Sequence, residues 1–452
     1  MSHATIQPAE QHVGLKPTRV RWKMLAWMCS LSAITYIGRI CIIQVRADIE
    51  LSLGLTPLLS AYAFSAFSLA YALLEVPSGW LGDRLGPRKV LARIILCCTL
   101  FTALTGAAWN LASLVVFRFL FGAGEAGAFP NISRASREWF PFSERGLAQG
   151  LVWMFARWGG AVAPLLIMVL ARPFGWRVAF LFMAALGIIW FLGFYRHFRD
   201  KPQDVPEVNA AERALIGEAV KGGGPPAPLS WSTMLLSRTM WALSLMYFCS
   251  NAGWSFFASW ITPYLRSDLK LSGIHLVLAS GGPLFFGGIA CLLGGFLTDR
   301  QVRLWGRRWG RTLQGVIAYG IGGALLLVTL AATQHHVILA YTALCLSSFV
   351  KDFGIPASWA TTIDIGHRYS GTVAGVMNTL GNLAQVVSVP VVAWIAYWAG
   401  KAGQPSWKAS LYYYAAMFFI ASICWLFVDP RRVIVYTEED RGRLQADGKL
   451  GL

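Results

Sequence analysis

The chain is 452 residues long, 56% apolar and only 13% charged, a balance that excludes an ordinary soluble two-domain protein. A net charge of +17 would point a soluble chain towards nucleic acid, but most Lys and Arg stand in short loops between apolar stretches, so the charge reports membrane topology and no nucleic-acid partner is expected. Runs of about 20 apolar residues recur, each long enough to cross a hydrocarbon core of roughly 30 Å, and because they do not alternate they read as helices rather than barrel strands.

In chain order, a polar tail over 1–23 carries Lys16, Arg19, Arg21 and Lys23 and runs into an apolar segment too long for a cleavable signal. A first bundle, 24–196, holds spans at 24–46, 57–78, 90–109, 112–132, 146–171 and 177–196. The polar stretch 197–237 is the linker: it contains Lys-Gly-Gly-Gly-Pro-Pro at 221–226, and Asn209-Ala210-Ala211-Glu212 opens a short helix in capping-box fashion. A second bundle, 238–429, holds spans at 238–264, 274–298, 312–332, 337–359, 370–397 and 410–429, before a tail over 430–452. The expected fold is all-α and polytopic, with about twelve transmembrane helices in two six-helix bundles.

Basic residues follow the even spans: Arg84, Arg88 and Lys89; Arg134, Arg137 and Arg145; Arg300, Arg303, Arg307, Arg308 and Arg311; Arg431 and Arg432. The positive-inside rule then predicts an inner-membrane protein with both termini cytoplasmic. The eight cysteines fall in or beside apolar spans without metal-ligand spacing, so buried free thiols are expected. No Walker loop, dinucleotide fingerprint or zinc spacing appears, and the histidines lie in tails, loops or span edges. Neither a cofactor nor an enzymatic activity is expected.

The halves repeat. Ser78-Gly79-Trp80-Leu81-Gly82-Asp83-Arg84 after the second span recurs as Gly294-Gly295-Phe296-Leu297-Thr298-Asp299-Arg300 after the eighth. A parallel six-plus-six repeat suits a rocking carrier with its site between the halves at the midplane. With Gly86, Arg88 and Lys89 the first copy resembles the loop signature of the major facilitator superfamily, a likeness that covers the chain apart from its tails. The resemblance implies a conformational latch made of Asp83, Arg84, Arg88, Asp299 and Arg300. Four further segments resemble the anion:cation symporter branch, the hexuronate, galactonate, glucarate and sialin relatives. They are Tyr36-Ile-Gly38-Arg39, Arg118-Phe-Leu-Phe-Gly122-Ala-Gly-Glu125-Ala126, Trp260-Ile-Thr-Pro263-Tyr264-Leu265 and Gly375-Val-Met-Asn378-Thr-Leu-Gly381-Asn382. Members of that branch often place Asp before the helix-one arginine, where this chain has Gly38.

A charge at the centre of a membrane helix costs about 2.5–3.5 kcal/mol on insertion scales, so ionisable residues inside spans are functional candidates. Arg39 and Arg118 are the expected anion clamp, since a guanidinium holds a carboxylate by two parallel hydrogen bonds and stays charged. Arg118 and Glu125 are about two helical turns apart and can reach one cavity; Tyr36 shares a face with Arg39, as Tyr71 does with Glu75. Burial makes a carboxylate harder to ionise while a neighbouring arginine favours the ion, so an anion that engages the arginine would couple binding to protonation. Glu125, a proton site by the resemblance also, and Glu75, standing in for the carboxylate missing at Gly38, are the coupling candidates. Glu75 also lies towards the end of its span, within reach of the latch. Asn251, Trp260, Trp359, Asn378 and Asn382 complete the expected substrate site, with Ser255 and Gln385 as further polar candidates. Arg157, Lys351 and Asp352 are secondary candidates; adjacent residues project about 100° apart on a helix, which speaks against a close pair between Lys351 and Asp352.

The resulting expectation is proton-coupled symport of a small organic anion, a sugar acid such as a hexuronate or aldonate, by a monomer in the lipid bilayer. Two alternatives stand beside it within transport: an aromatic or dicarboxylic acid as substrate, or coupling altered by Gly38. A ligand-sensing receptor on the same fold is the alternative from another class, and the short tails speak against it.

Overall fold

Where no water can satisfy the backbone, apolar sequence must close its own hydrogen bonds as helix. The computed structural model, which describes residues 16–217, 231–333, 335–400 and 406–432, is helical apart from short connections, with no strand among the described residues. Seven helical stretches are long and apolar enough to cross a membrane, and three of these, of 56, 55 and 63 residues, turn back within themselves. With the second and seventh spans they supply twelve crossings. The glycine-proline run at 221–226 and the outer parts of both tails lie outside the described residues.

The first three spans are Val20–Gln44, Pro57–Leu85 and Pro87–Gly106. The fifth and sixth form one stretch, Arg145–His197, turning at Gly175, and the eighth and ninth form Gly273–Ala332, turning at Gly306. The eleventh and twelfth are Ser370–Ala399 and Ser410–Leu426. All eight cysteines are free thiols, none of them exposed.

Three spans differ from uninterrupted helices. The fourth is Leu111–Glu125 followed by Ala128–Trp139, broken at Gly127. Only glycine fits there, because φ is 85° and a Cβ would lie 2.3 Å from Ser78 Oγ. The tenth is Val337–Phe353 followed by Ile355–Gly366, and the seventh passes from Arg238–Ser255 through a π-helical turn, Phe256–Trp260, to Ile261–Ser267. The fourth and tenth spans therefore run past their expected ends at 132 and 359. Their extra turns carry Arg134, Arg137, Glu138 and Asp364, which as sequence look like solvated loop. Burial between the halves conceals them: Trp139 is fully enclosed and Asp364 is 4% exposed.

Within each half the helices pack on one another, and between halves the second span meets the eleventh while the fifth meets the eighth. Glycines permit the approach: a Cβ on Gly79 would sit 2.3 Å from the Gly371 carbonyl oxygen, and one on Gly150 2.6 Å from that of Cys291.

The two aspartates of the repeated motif fasten this contact in matching ways. Asp83 accepts from the Gly371 and Thr372 N–H groups (3.1 and 2.7 Å) and the Thr372 hydroxyl (2.7 Å). Asp299 accepts from the Gly146 and Leu147 N–H groups (2.9 and 2.7 Å). Each carboxylate thus caps the first turn of a helix in the opposite half, where unpaired N–H groups and the helix dipole favour negative charge. The basic partners are not those expected from the motif. Arg134 lies 3.4 Å from Asp83 and Arg311 3.9 Å from Asp299. Arg84 instead covers the Trp80 ring, Arg88 donates to the Tyr195 carbonyl while its N–H meets Asp200, and Arg300 is exposed. A third tie on the same face joins Arg145 of the first half to Asp364 (3.0 Å), which also holds Arg311 (2.7 Å).

The start of the linker belongs to the first bundle. Asn209 caps the helix Ala210–Gly217 through the Glu212 N–H (2.8 Å). Glu212, fully buried, accepts from the Thr18 hydroxyl, the Val20 and Arg21 N–H groups and the Arg21 guanidinium.

Candidate functional site

Halfway along the spans the two bundles enclose a cluster of charged and aromatic side chains. Arg39 donates from Nε to Glu125 Oε1 at 2.6 Å, and its guanidinium carbon lies 4.1 Å from the Tyr71 ring centre and 5.5 Å from those of Tyr36 and Phe67. Glu125 is fully buried, whereas the Arg39 side chain retains 19% exposure. The two arginines expected to clamp an anion and the carboxylate candidate lie in one cluster, with Glu125 paired to Arg39 rather than to its own-helix neighbour Arg118.

Arg118 is 2% exposed and sits 4.9 and 4.7 Å from the ring centres of Phe67 and Phe121. Among the described residues it has no ion pair, and its Nε has no hydrogen-bond acceptor. A guanidinium held between two phenyl faces gains about 0.5–2 kcal/mol from the ring quadrupoles, less than a buried charge costs.

Gly38 lies against this arrangement. A Cβ there would meet Phe121 Cζ at 3.2 Å, so the ring fills the space into which a helix-one carboxylate would project. Glu75, fully buried, accepts from Asn378 Nδ2 of the second half at 2.7 Å, and the same amide lies 3.4 Å from the Tyr71 hydroxyl. Glu75 is thus part of the central cluster and makes no contact with the latch aspartate, contrary to the reading that placed it near the loop.

The second half contributes a matching group. Asp352 accepts from Arg157 Nε and Nη2 (3.2 and 3.1 Å) and lies 2.5 Å from Lys351 Nζ. Lys351 and Asp352 do form a close pair, against the helical-spacing argument: Phe353–Gly354 ends the helix one residue later, and the lysine stem is long enough to curl back. Both cations face the Trp254 indole, with Arg157 Cζ 3.7 Å and Lys351 Nζ 5.0 Å from its ring centre.

The other polar candidates have local partners. Asn251 donates to the Tyr247 carbonyl and Asn382 to the Asn378 carbonyl. Ser255 donates to the Ala252 carbonyl, and Gln385 is half-buried. Trp359 does not line an open wall; it is wholly enclosed, 5.2 Å from the Trp153 ring and 5.9 Å from that of Phe129, and donates to the Tyr247 hydroxyl. Trp260 stacks on Trp407 at 4.4 Å. Sequence reasoning passed over Trp153, Trp254 and Phe121, because an aromatic side chain in an apolar span carries no periodic signal that separates a site from packing.

The chain matches the Major Facilitator Superfamily over residues 28–389. It is 32% identical over 430 residues to the probable sulfoacetate transporter SauU of Cupriavidus necator, covering 94% of this chain and 98% of that protein. It is 27% identical to the probable galactarate/D-glucarate transporter GarP of Escherichia coli, covering 91% of this chain and 95% of that one. Among solved structures it superposes on the transporter FucP with a TM-score of 0.70 at 16% identity, and on the proton:xylose symporter XylE with 0.71 at 13%. Those alignments cover 91% and 92% of this chain and 100% and 98% of the two others.

Proposed function

We propose a substrate and a coupling for a chain that belongs to the Major Facilitator Superfamily and is a membrane transporter rather than an enzyme: uptake of a small organic anion by alternating access, driven by protons. The observation that carries the anion is Arg118, a buried guanidinium with no carboxylate of its own beside an Arg39 that spends only part of its fork on Glu125. Two guanidiniums beside one ring, 5.5 and 4.9 Å from the Phe67 centre, suit a carboxylate or sulfonate, which accepts parallel N–H bonds. The names of the relatives, sulfoacetate and galactarate/D-glucarate transporters, support organic acids, and a sugar acid is the form preferred on the asparagines nearby.

Coupling follows from the Arg39–Glu125 pair. An anion that takes Arg39 leaves Glu125 buried without its counter-charge, and such a carboxylate holds a proton more readily than an ion. Proton and substrate then bind together, which is the linkage symport requires. Glu75, touching both halves through Asn378, is the second carboxylate on this route. With the basic loops placed inside the cell, the face tied by Asp83, Asp299 and Asp364 is cytoplasmic, and the site would load from the opposite side before those ties open.

A thermal-shift screen of sugar acids, short sulfonates and neutral sugars against the purified protein tests the anion: acids are expected to stabilise, and stabilisation by neutral sugars alone would overturn the reading. Arg118→Glu should abolish binding, so an unaltered affinity sinks the clamp. For coupling, uptake into vesicles under an imposed pH gradient should lose its gradient dependence in Glu125→Gln; concentrative, pH-driven uptake in that variant removes Glu125 from the proton route.

A further inference from the structure

The charges of the interior form two groups, each with two cations. In the first half Arg39 and Arg118 face the single paired carboxylate Glu125, and in the second Lys351, joined by Arg157, shares the single carboxylate Asp352. Each group therefore holds two cations and one ion-paired carboxylate. Glu75 borders the first group, where it is hydrogen-bonded by Asn378 and not ion-paired to Arg39, Arg118, Arg157 or Lys351 among the described residues. Lys351 is 1% exposed and has one ion pair, with Asp352, so an ammonium with three donors is committed to one acceptor. The Trp254 face beneath both cations stabilises positive charge without neutralising it.

The two groups border the same aromatic pair. Arg39 lies 5.5 Å from the Tyr36 ring centre, Tyr36 meets Trp153 edge-on at 6.3 Å, and Arg157 lies 5.9 Å from the Trp153 ring. A ligand lying along Tyr36 and Trp153 would meet two cations at each end, Arg39 with Arg118 and Arg157 with Lys351. An anion with one acidic group compensates only one of these ends. A molecule with two acidic groups compensates both, and its second group would bridge the halves, because Arg157 comes from the fifth span and Lys351 from the tenth.

We propose that Arg157 and Lys351, over Trp254, form a second anion subsite, so that the preferred substrate is a small diacid with one acidic group at Arg39 and Arg118 and the other at Lys351. This rests on the anion reading above and adds the class of anion. Asp352 then acts as the internal occupant that the second acidic group displaces or joins, holding the two cations when no substrate is bound. A cluster that merely fastened the halves would bind no second group and would not distinguish diacids from monoacids.

The test uses matched ligands on the full-length purified protein: galactarate against galactonate, and sulfoacetate against methanesulfonate. Affinities from calorimetry are expected to favour the diacid at least tenfold in the unmodified protein. In Lys351→Met that ratio should fall towards one. In Asp352→Asn it should hold or widen, since the competing carboxylate is gone, whereas loss of a structural tie has no reason to favour the diacid. Equal affinities within each pair in the unmodified protein overturn the subsite, as does a ratio that survives Lys351→Met or collapses in Asp352→Asn. If the Met variant does not fold, the unmodified protein and the Asn variant decide the matter. Monoacids and diacids that bind equally, both lost in Arg118→Ala, leave the anion reading standing and remove only the subsite. No binding by any of the four ligands removes both.

Discussion

At the scale of single residues, the interior is organised by which charges have partners. Gly38 shows how a missing carboxylate is compensated in space: Phe121 occupies its place, 3.2 Å from where a Cβ would be. Gly38→Asp should therefore restore no functional acid but overpack the site, lowering stability by about 1–3 kcal/mol. Thermal unfolding in detergent measures this, and trimming the ring with Phe121→Ala in the same chain should recover part of the loss. Arg118→Lys keeps the charge and removes the fork; a weakening of anion binding by about tenfold is expected from the lost bidentate geometry. Equal binding would show that charge alone suffices there.

At the scale of elements, the broken helices do what continuous ones cannot. The turn at Gly127 redirects the fourth span so that its charged second segment lies under the opposite half. Gly127→Ala requires φ of 85° and displaces Ser78, so a loss of more than about 1 kcal/mol is expected, read as a lower midpoint of unfolding. The latch aspartates act on elements too, since each caps a helix of the other bundle. Asp83→Asn and Asp299→Asn should each weaken the closed face by about 1.5–3 kcal/mol, the worth of hydrogen bonds to a charged group. Labelling of a cysteine introduced at Thr372 or Leu147 should then speed up, and an unchanged rate would deny the aspartates a gating role.

Across the whole molecule, the halves are joined on one face by three carboxylates and at the centre by Asp352 and Glu75. The rocking motion proposed above would have to break the first set while preserving the bundles. Asp364→Asn leaves Arg145 and Arg311 without their shared carboxylate, and the like charges should drive the halves apart there. Spin labels at the exposed positions Leu85 and Leu304, one in each half, would report a distance distribution shifted to longer values. An unshifted distribution would mean that the helix-capping aspartates suffice. Glu212 sets the other boundary of the motion: it holds the linker helix Ala210–Gly217 on the first span, so that this part of the connection moves with the first bundle.

Hydrophobic length and the doubled Asp motif were enough, read as sequence, to establish a twelve-span carrier built by repetition, because the bilayer leaves so few ways to satisfy a backbone. Arg39, Arg118 and Glu125 stood out as interior charges for the same reason: a charge in an apolar span is costly enough to be noticed. What only the tertiary structure decided is who pairs with whom. Glu125 takes Arg39 from another helix, Lys351 bends back to Asp352, Glu75 joins the centre, and Arg134 and Arg311 replace the motif's own arginines beside the aspartates. Charged turns at 134–138 and at Asp364 looked solvated because nothing along the chain announces that the other half will cover them. Pair energies depend on distances between helices far apart in sequence, and those distances exist only once the bundles have packed.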